Sequence, residues 1–430
     1  MKKIFMWSLV LLISIAMFTM FSLTGVAKKH ITLSYMASQD WIRDVELELA
    51  EKFEEETGIK VDYQVIPAEQ YDNLMATKLN SGECTDIFSG QSGKFDLVSK
   101  YDVEKNCVDL TGEEWVERFD TMFKEQVTYN DKVYGLTIWD TTYTFQITYN
   151  KKIFSDLNLS VPRTYEEFKN VCQKIKDAGI TPIYECVSDG WHHVLPFCDL
   201  GPKLEESNPS LYDKLNNNEI KFAEVTDMEK LLSQMLEFAQ LGYYGDNFMS
   251  DTYAETKNAM ASGEYAMTIY PTTLPEELGN EFPELKEENF GLITIPFIDN
   301  DIIDVNPAAP SKFIYSGSKY IEEAKEYFRF LTRQENLQYM IDNEPRFILL
   351  GFSGLEPRFS AAQKEFFNSY TKRGSVLQNC VKYVNPQWME IGKDIEAMYV
   401  DTMTPREVLE KIDKRRAEVA EALKDTAWVK

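Results

Sequence analysis

Apolar and polar residues alternate along this chain in two rhythms, and the two rhythms take turns. Residues 31–35 (Ile-Thr-Leu-Ser-Tyr) alternate and are rich in β-formers, which predicts a strand. Across 44–57, Val45, Leu47, Leu49, Ala50 and Phe53 recur at helical spacing, and Gly58 stops the pattern. A second strand is expected over 59–66 and a second helix over 71–79, ended by Ser81-Gly82. A short strand over 85–88 follows, and the loop 90–93 (Gly-Gln-Ser-Gly) opens another helical stretch.

A second series repeats the alternation. Residues 134–149 read as one β-like run, with a strand over 143–150. Thr164 and Glu167 have capping-box spacing, so a helix starts there. Phe168, Val171, Cys172 and Ile175 give that helix its apolar face, and Gly179 ends it. Strands are expected over 180–184, 264–270 and 291–297, helices over 226–242, 251–262, 320–342 and much of 384–424, and a solvated acidic loop over 299–304. Strands alternating with helices of these lengths imply βαβ units around a parallel or mixed sheet, an α/β fold. No internal repeat, low-complexity tract or long Gly/Ser linker interrupts the chain.

Charge and composition narrow the partners. The chain of 430 residues carries 45 Lys+Arg against 70 Asp+Glu, a net charge of −25. Nucleic acid and anionic membrane need a basic footprint, so neither is expected as a partner. Aromatics are abundant at 13%, more than one binding site can use, and most must be core.

The N-terminus has Lys2 and Lys3, then an uncharged, largely apolar run from Ile4 to Val26. This reads as an export signal over 1–27, with small residues before a cut after Ala27; the run is nearly as long as the roughly 20 residues of a bilayer span, so a retained anchor stays open. Leu23-Thr24-Gly25 resembles a lipobox, but Val26 stands where the lipid-bearing Cys belongs. The protein is expected at the extracellular face of the cytoplasmic membrane or in a periplasm. Six cysteines permit disulfides without showing them, and buried free thiols are the alternative.

Catalytic signatures are missing. There is no H-E-x-x-H, no G-x-S-x-G and no G-x-G-x-x-G after a strand, and Phe88 occupies the place of a P-loop's first Gly. His192 and His193 are adjacent and cannot share one helix face, so a loop pair is expected. Neither a cofactor nor a metal is expected, and the missing motifs lower the enzyme reading without eliminating it.

Residues 143–183 carry a strand ending Tyr-Asn-Lys, then Pro-Arg-Thr-Tyr-Glu-Glu-Phe, then Ala-Gly-Ile-Thr-Pro-Ile. This resembles the corresponding stretch of extracellular solute-binding proteins of carbohydrate ABC transporters. Six further segments are similar to that family in order: 51–61, 82–88, the Met-Ala-Ser-Gly-Glu-Tyr-Ala-Met of 260–267, the strand of 291–296, 322–335, and Thr404-Pro405-Arg406-Glu407-Val408. The resemblance spans roughly 30–425. It implies two α/β lobes, each discontinuous in sequence, 28–140 plus 290–343 and 141–289 plus 344–430, closing on a ligand. It implies chain crossings near 138–146, 286–292 and 340–350. A monomer that hands a carbohydrate to ABC permease subunits is expected.

A sugar offers an apolar C–H face to aromatic rings and a rim of hydroxyls to carboxylates and amides, in clefts beyond strand C-termini. The residues that fit are Gln39, Asp40 and Trp41 after the first strand, and Gln91 after the third. Trp139 and Asp140 stand at the first crossing, Trp191 beside Gly190, Tyr270 at a strand end, and Trp388 at a C-terminal helix start. Each has a structural alternative, such as a helix cap for Asp40 or a buried hinge ring for Trp139. Three rival functions stay open at this point: a secreted glycoside hydrolase with two carboxylates about 5–10 Å apart, a binding protein for a non-sugar solute, and a surface sensor without a transporter.

Overall fold

The computed structural model describes residues 31–428 except Asp40. The export-signal reading of 1–27, Val26 and the candidate Asp40 therefore lie outside the described residues. Among those described, no helix is long and apolar enough to cross a membrane. The chain divides into two compact units, Met1–Ser89 with Ile314–Leu331, and Gly90–Phe313 with Thr332–Lys430.

In the first unit the strands Ile31–Ser38 and Ile59–Ile66 pair in parallel, Ile31 opposite Ile59. Ile87 and Phe88, which begin the strand Ile87–Gln91, pair on the other side, also parallel, with Tyr35 opposite Ile87. The helices Asp44–Thr57 and Ala68–Ser81 are the crossovers, and each ends on a left-handed glycine, Gly58 at φ 79° and Gly82 at φ 74°. The core is aromatic. Phe53 packs on Tyr327 at 5.0 Å and Phe330 at 5.2 Å. The hydroxyls of half-buried Tyr63 and buried Tyr327 hydrogen-bond at 2.5 Å, so both phenols keep their polar ends satisfied.

The second unit is built on a four-stranded sheet in the order Phe290–Ile293, Phe145–Asn150, Tyr265–Pro271, Thr181–Tyr184. Phe145–Asn150 runs antiparallel to both neighbours, and Thr181–Tyr184 lies parallel to Tyr265–Pro271. The helix Tyr165–Asp177 starts at the expected capping box, with Thr164 and Glu167 each bonding the other's backbone. Its face of Phe168, Val171, Cys172 and Ile175 is buried. Phe168 meets Phe238 of the helix Thr226–Gln240 at 5.0 Å. The long C-terminal helices Trp388–Tyr399 and Pro405–Ala422 pack against the same core. Arg416, fully buried, donates to the carbonyls of Lys382 and Leu215 while its guanidinium covers Phe222 and Trp428.

Several sequence expectations need correction. Residues 299–304 are not a solvated acidic loop. Ile302–Val305 is a strand paired in parallel with Lys372–Ser375, and Asp304 is only 5% exposed. The β-branched Ile302, Ile303 and Val305 outweigh the charge that surrounds them. The run 134–149 is interrupted: Gly135–Thr137 pairs with Pro310–Ile314, and the chain is irregular from 138 to 144. The helix expected over 320–342 is two helices, Ile321–Leu331 and Gln334–Asn343. All six cysteines are free thiols, five of them buried and Cys84 half-buried.

Candidate functional site

A cavity of about 700 Å³ opens within the second unit. It falls in the range of about 300–1,000 Å³ usual for small-molecule sites. Its aromatic wall is formed by Tyr143, Phe145, Trp191 and Trp388. Tyr143 is 54% exposed, so much of its ring is open to a partner from outside the chain. Phe145 opens the central strand, and its ring stands edge-on to Tyr143 at 5.7 Å and to Trp191 at 6.0 Å.

The two tryptophans are held by backbone geometry. Trp191 follows Gly190, whose φ of +76° turns the chain where a side chain would be strained. A Cβ on Gly392 would lie 2.1 Å from the Gly190 carbonyl oxygen, so only glycine lets the helix Trp388–Tyr399 approach this loop. The indole N–H of Trp388 then donates to the Trp191 carbonyl at 3.1 Å.

Beneath Trp191 lies a buried ion pair. His192 Nδ1 is 2.6 Å from Glu185 and Nε2 is 2.9 Å from the Ile269 carbonyl. A carbonyl only accepts, so Nε2 carries a proton, and the carboxylate takes the other. Burial opposes the charged ring, but Glu185 outweighs it and holds the His192 pKa well above its ordinary value. Burial likewise opposes the Glu185 carboxylate, yet the imidazolium brings its pKa below the usual range. Cys186 brings a third ligand-type atom within 4.8 Å of the pair. Both ring nitrogens are already engaged, so the arrangement is that of an ion pair. The adjacent histidines are thus a buried short helical turn, His192–Val194, and not the expected loop pair.

The polar part of the cavity is under-satisfied. Gln126, Gln378 and Asp199 all line it, and each has one buried atom without a hydrogen-bond partner: Gln126 Nε2, Gln378 Oε1 and Asp199 Oδ2. One is a donor and two are acceptors, a set that suits hydroxyls. Asp304 also lines the cavity, but Thr144 donates to it at 2.5 Å and the Gln146 amide donates to its other oxygen.

Gln91, Trp191 and Trp388 line this cavity together. Trp139, Asp140 and Tyr270 do not. Trp139 is half-buried and meets Phe347 edge-on at 6.1 Å. Asp140 accepts from the Thr142 N–H and hydroxyl and from the N–H groups of Ile348 and Leu349, which uses both of its oxygens to fasten two chain segments together. Tyr270 is 8% exposed and stacks on Tyr253 at 4.9 Å; Tyr253 in turn meets Trp191 at 5.0 Å. Gln39 and Trp41 belong to the first unit, where Gln39 is exposed and Trp41 lies edge-on to Tyr71 at 5.3 Å. Tyr143, Phe145, Gln126, Gln378 and Asp199 were not picked out from sequence. Only the alternation of Tyr143 and Phe145 at a strand start carried a signal.

Residues 42–338 match the family described as bacterial extracellular solute-binding protein. The melibiose/raffinose/stachyose-binding protein of Bacillus subtilis is 21% identical over 403 residues, 91% of this chain and 90% of that one. The multiple sugar-binding protein of Streptococcus mutans is 21% identical over 73% of this chain and 74% of its own. A Bacillus subtilis binding protein solved in an open conformation has the same fold, with a TM-score of 0.74 at 19% identity, covering 93% of this chain and 100% of that one. By its sequence match and its mixed α/β fold, the chain belongs to the bacterial extracellular solute-binding protein family.

Proposed function

We propose that this chain is the exported binding subunit of an ABC importer and captures a sugar or oligosaccharide. The observation that carries the reading is a cavity lined by Tyr143, Phe145, Trp191 and Trp388 together with Gln126, Gln378 and Asp199, whose side chains each have an unpartnered amide or carboxylate atom. Aromatic rings cover a sugar's C–H face, and the buried donor and acceptors exchange their missing partners for hydroxyls. Raffinose-type oligosaccharides are the first candidates, because a relative matching nearly the whole chain is named for them. A cavity of about 700 Å³ offers room for more than one ring.

Capture involves closure of two lobes, 28–140 plus 290–343 and 141–289 plus 344–430. Gln39, Asp40 and Trp41 are proposed contacts from the first of these. The closed form must bind ligand better than the open form for closure to report occupancy to a permease. Transport energy comes from the importer's ATPases, so the binding subunit needs no catalytic group. A thermal-shift screen of the purified chain against mono-, di- and oligosaccharides, peptides and polyamines tests the assignment. Stabilisation by a sugar supports it; stabilisation by another solute class with none by sugars contradicts it.

A further inference from the structure

We propose that Asp199 is a ligand-gripping residue of the cavity, its carboxylate accepting hydrogen bonds from hydroxyls of the bound sugar. The inference rests on the sugar-binding reading and names a residue for it. Asp199 closes the short helix Leu195–Asp199 and is 4% exposed. Among the described residues no hydrogen bond reaches its carboxyl, and Oδ2 is fully enclosed without a partner. A buried carboxylate left unpaired costs stability, so its presence at the wall of a cavity calls for a donor from outside the chain. Neighbouring Asp304 differs in this respect, because Thr144 and Gln146 already occupy both of its oxygens.

Charge around Asp199 supports the assignment. Burial and then the Asp304 carboxylate push its pKa well up, while His192 pulls it down. Of the charged groups on the helix Gly201–Ser207, Lys203 and Glu206 pair with each other, and Lys203 also reaches Asp301. Glu205 of that helix accepts from the N–H groups of Ser210 and Tyr212. On the helix Thr226–Gln240, Asp227 pairs with Asn208, Glu229 with Arg406 and Glu237 with Lys169. Cys380, on the short helix Leu377–Cys380, is a buried neutral thiol. Asp304 and His192 are therefore the charges that set the state of Asp199. Ligand-free, the carboxyl holds a proton to higher pH than usual. Hydroxyl donors stabilise the ionised form, so binding releases that proton and tightens as pH rises.

The test is isothermal titration with raffinose, or with the panel sugar that binds most tightly, in buffers of different ionisation enthalpy from pH 5.5 to 8.5. Expected are net proton release by the wild-type chain and affinity that falls toward pH 5.5. Asp199→Asn is expected to bind at least about tenfold more weakly, without proton release, and with a melting temperature equal to or above wild type. Wild-type binding without proton release, or Asp199→Asn binding within about twofold of wild type, overturns the inference while leaving the sugar reading intact. Absence of binding to every sugar overturns both.

Discussion

The indole N–H of Trp388 donates a 3.1 Å hydrogen bond to the backbone carbonyl of Trp191, so one aromatic platform is hung from the other across 197 positions of sequence. The bond ties the Trp388 ring to the backbone of the loop that carries Trp191, whose own ring is held by Phe145 and Tyr253.

Trp191→Ala and Trp388→Ala should each weaken sugar binding by about 10- to 100-fold, the range of an aromatic hot spot. Trp388→Phe keeps a ring but loses the hydrogen bond, and should cost about 1 kcal/mol of affinity. Titration calorimetry against one oligosaccharide checks both, and equal losses for Phe and Ala at 388 would argue against stacking.

Gly392→Ala forces a methyl group into the Gly190 carbonyl, where the available distance is 2.1 Å. The loop carrying Trp191 must move, with a stability loss of about 1–3 kcal/mol by overpacking. Denaturant unfolding should show the loss, and sugar affinity should fall with it.

Asp140→Asn replaces a carboxylate that accepts from Thr142, Ile348 and Leu349. One oxygen becomes an amide donor facing donors, at a cost of about 1–3 kcal/mol. Melting temperature should drop while sugar affinity stays nearly constant. A large affinity loss at unchanged stability would instead make Asp140 a ligand contact.

The Glu185–His192 pair gives stability a pH signature. The His192 pKa is raised on folding, so its contribution is full below its unfolded value of 6.5 and is lost as pH climbs through the raised value. The Glu185 pKa is lowered, so its contribution is present above 4.5 and is lost as pH falls through the depressed value. The melting-temperature gap between wild type and Glu185→Gln should therefore be wider near pH 6 than near pH 9. A gap widest at pH 9 would contradict the ion pair.

Local signals were legible in the chain and long-range ones were not. Thr164 with Glu167, Gly58 and Gly82 announce helix ends through bonds made within a few residues, and the structure has them there. Phe168, Phe328 and Phe330 sit on buried helix faces, as their spacing implies. Asp140 could not be read this way, because two of its partners come from 348–349. Asp304 was masked by neighbouring charges, and its burial depends on Thr144 and Gln146, far back in the chain. Asp199 carries no motif at all; only the enclosed shape around it shows that its carboxyl is unpaired. Trp191 stood out as a tryptophan beside Gly190 in a polar loop and Trp388 as one at a C-terminal helix start, and both line the cavity.

The most direct test is a crystal structure of the full mature chain with raffinose, or with the sugar that gives the largest thermal shift. The account predicts difference density for pyranose rings against Trp191 and Trp388, with a hydroxyl within hydrogen-bond distance of Asp199. Sugar density at a site that touches neither tryptophan would contradict it.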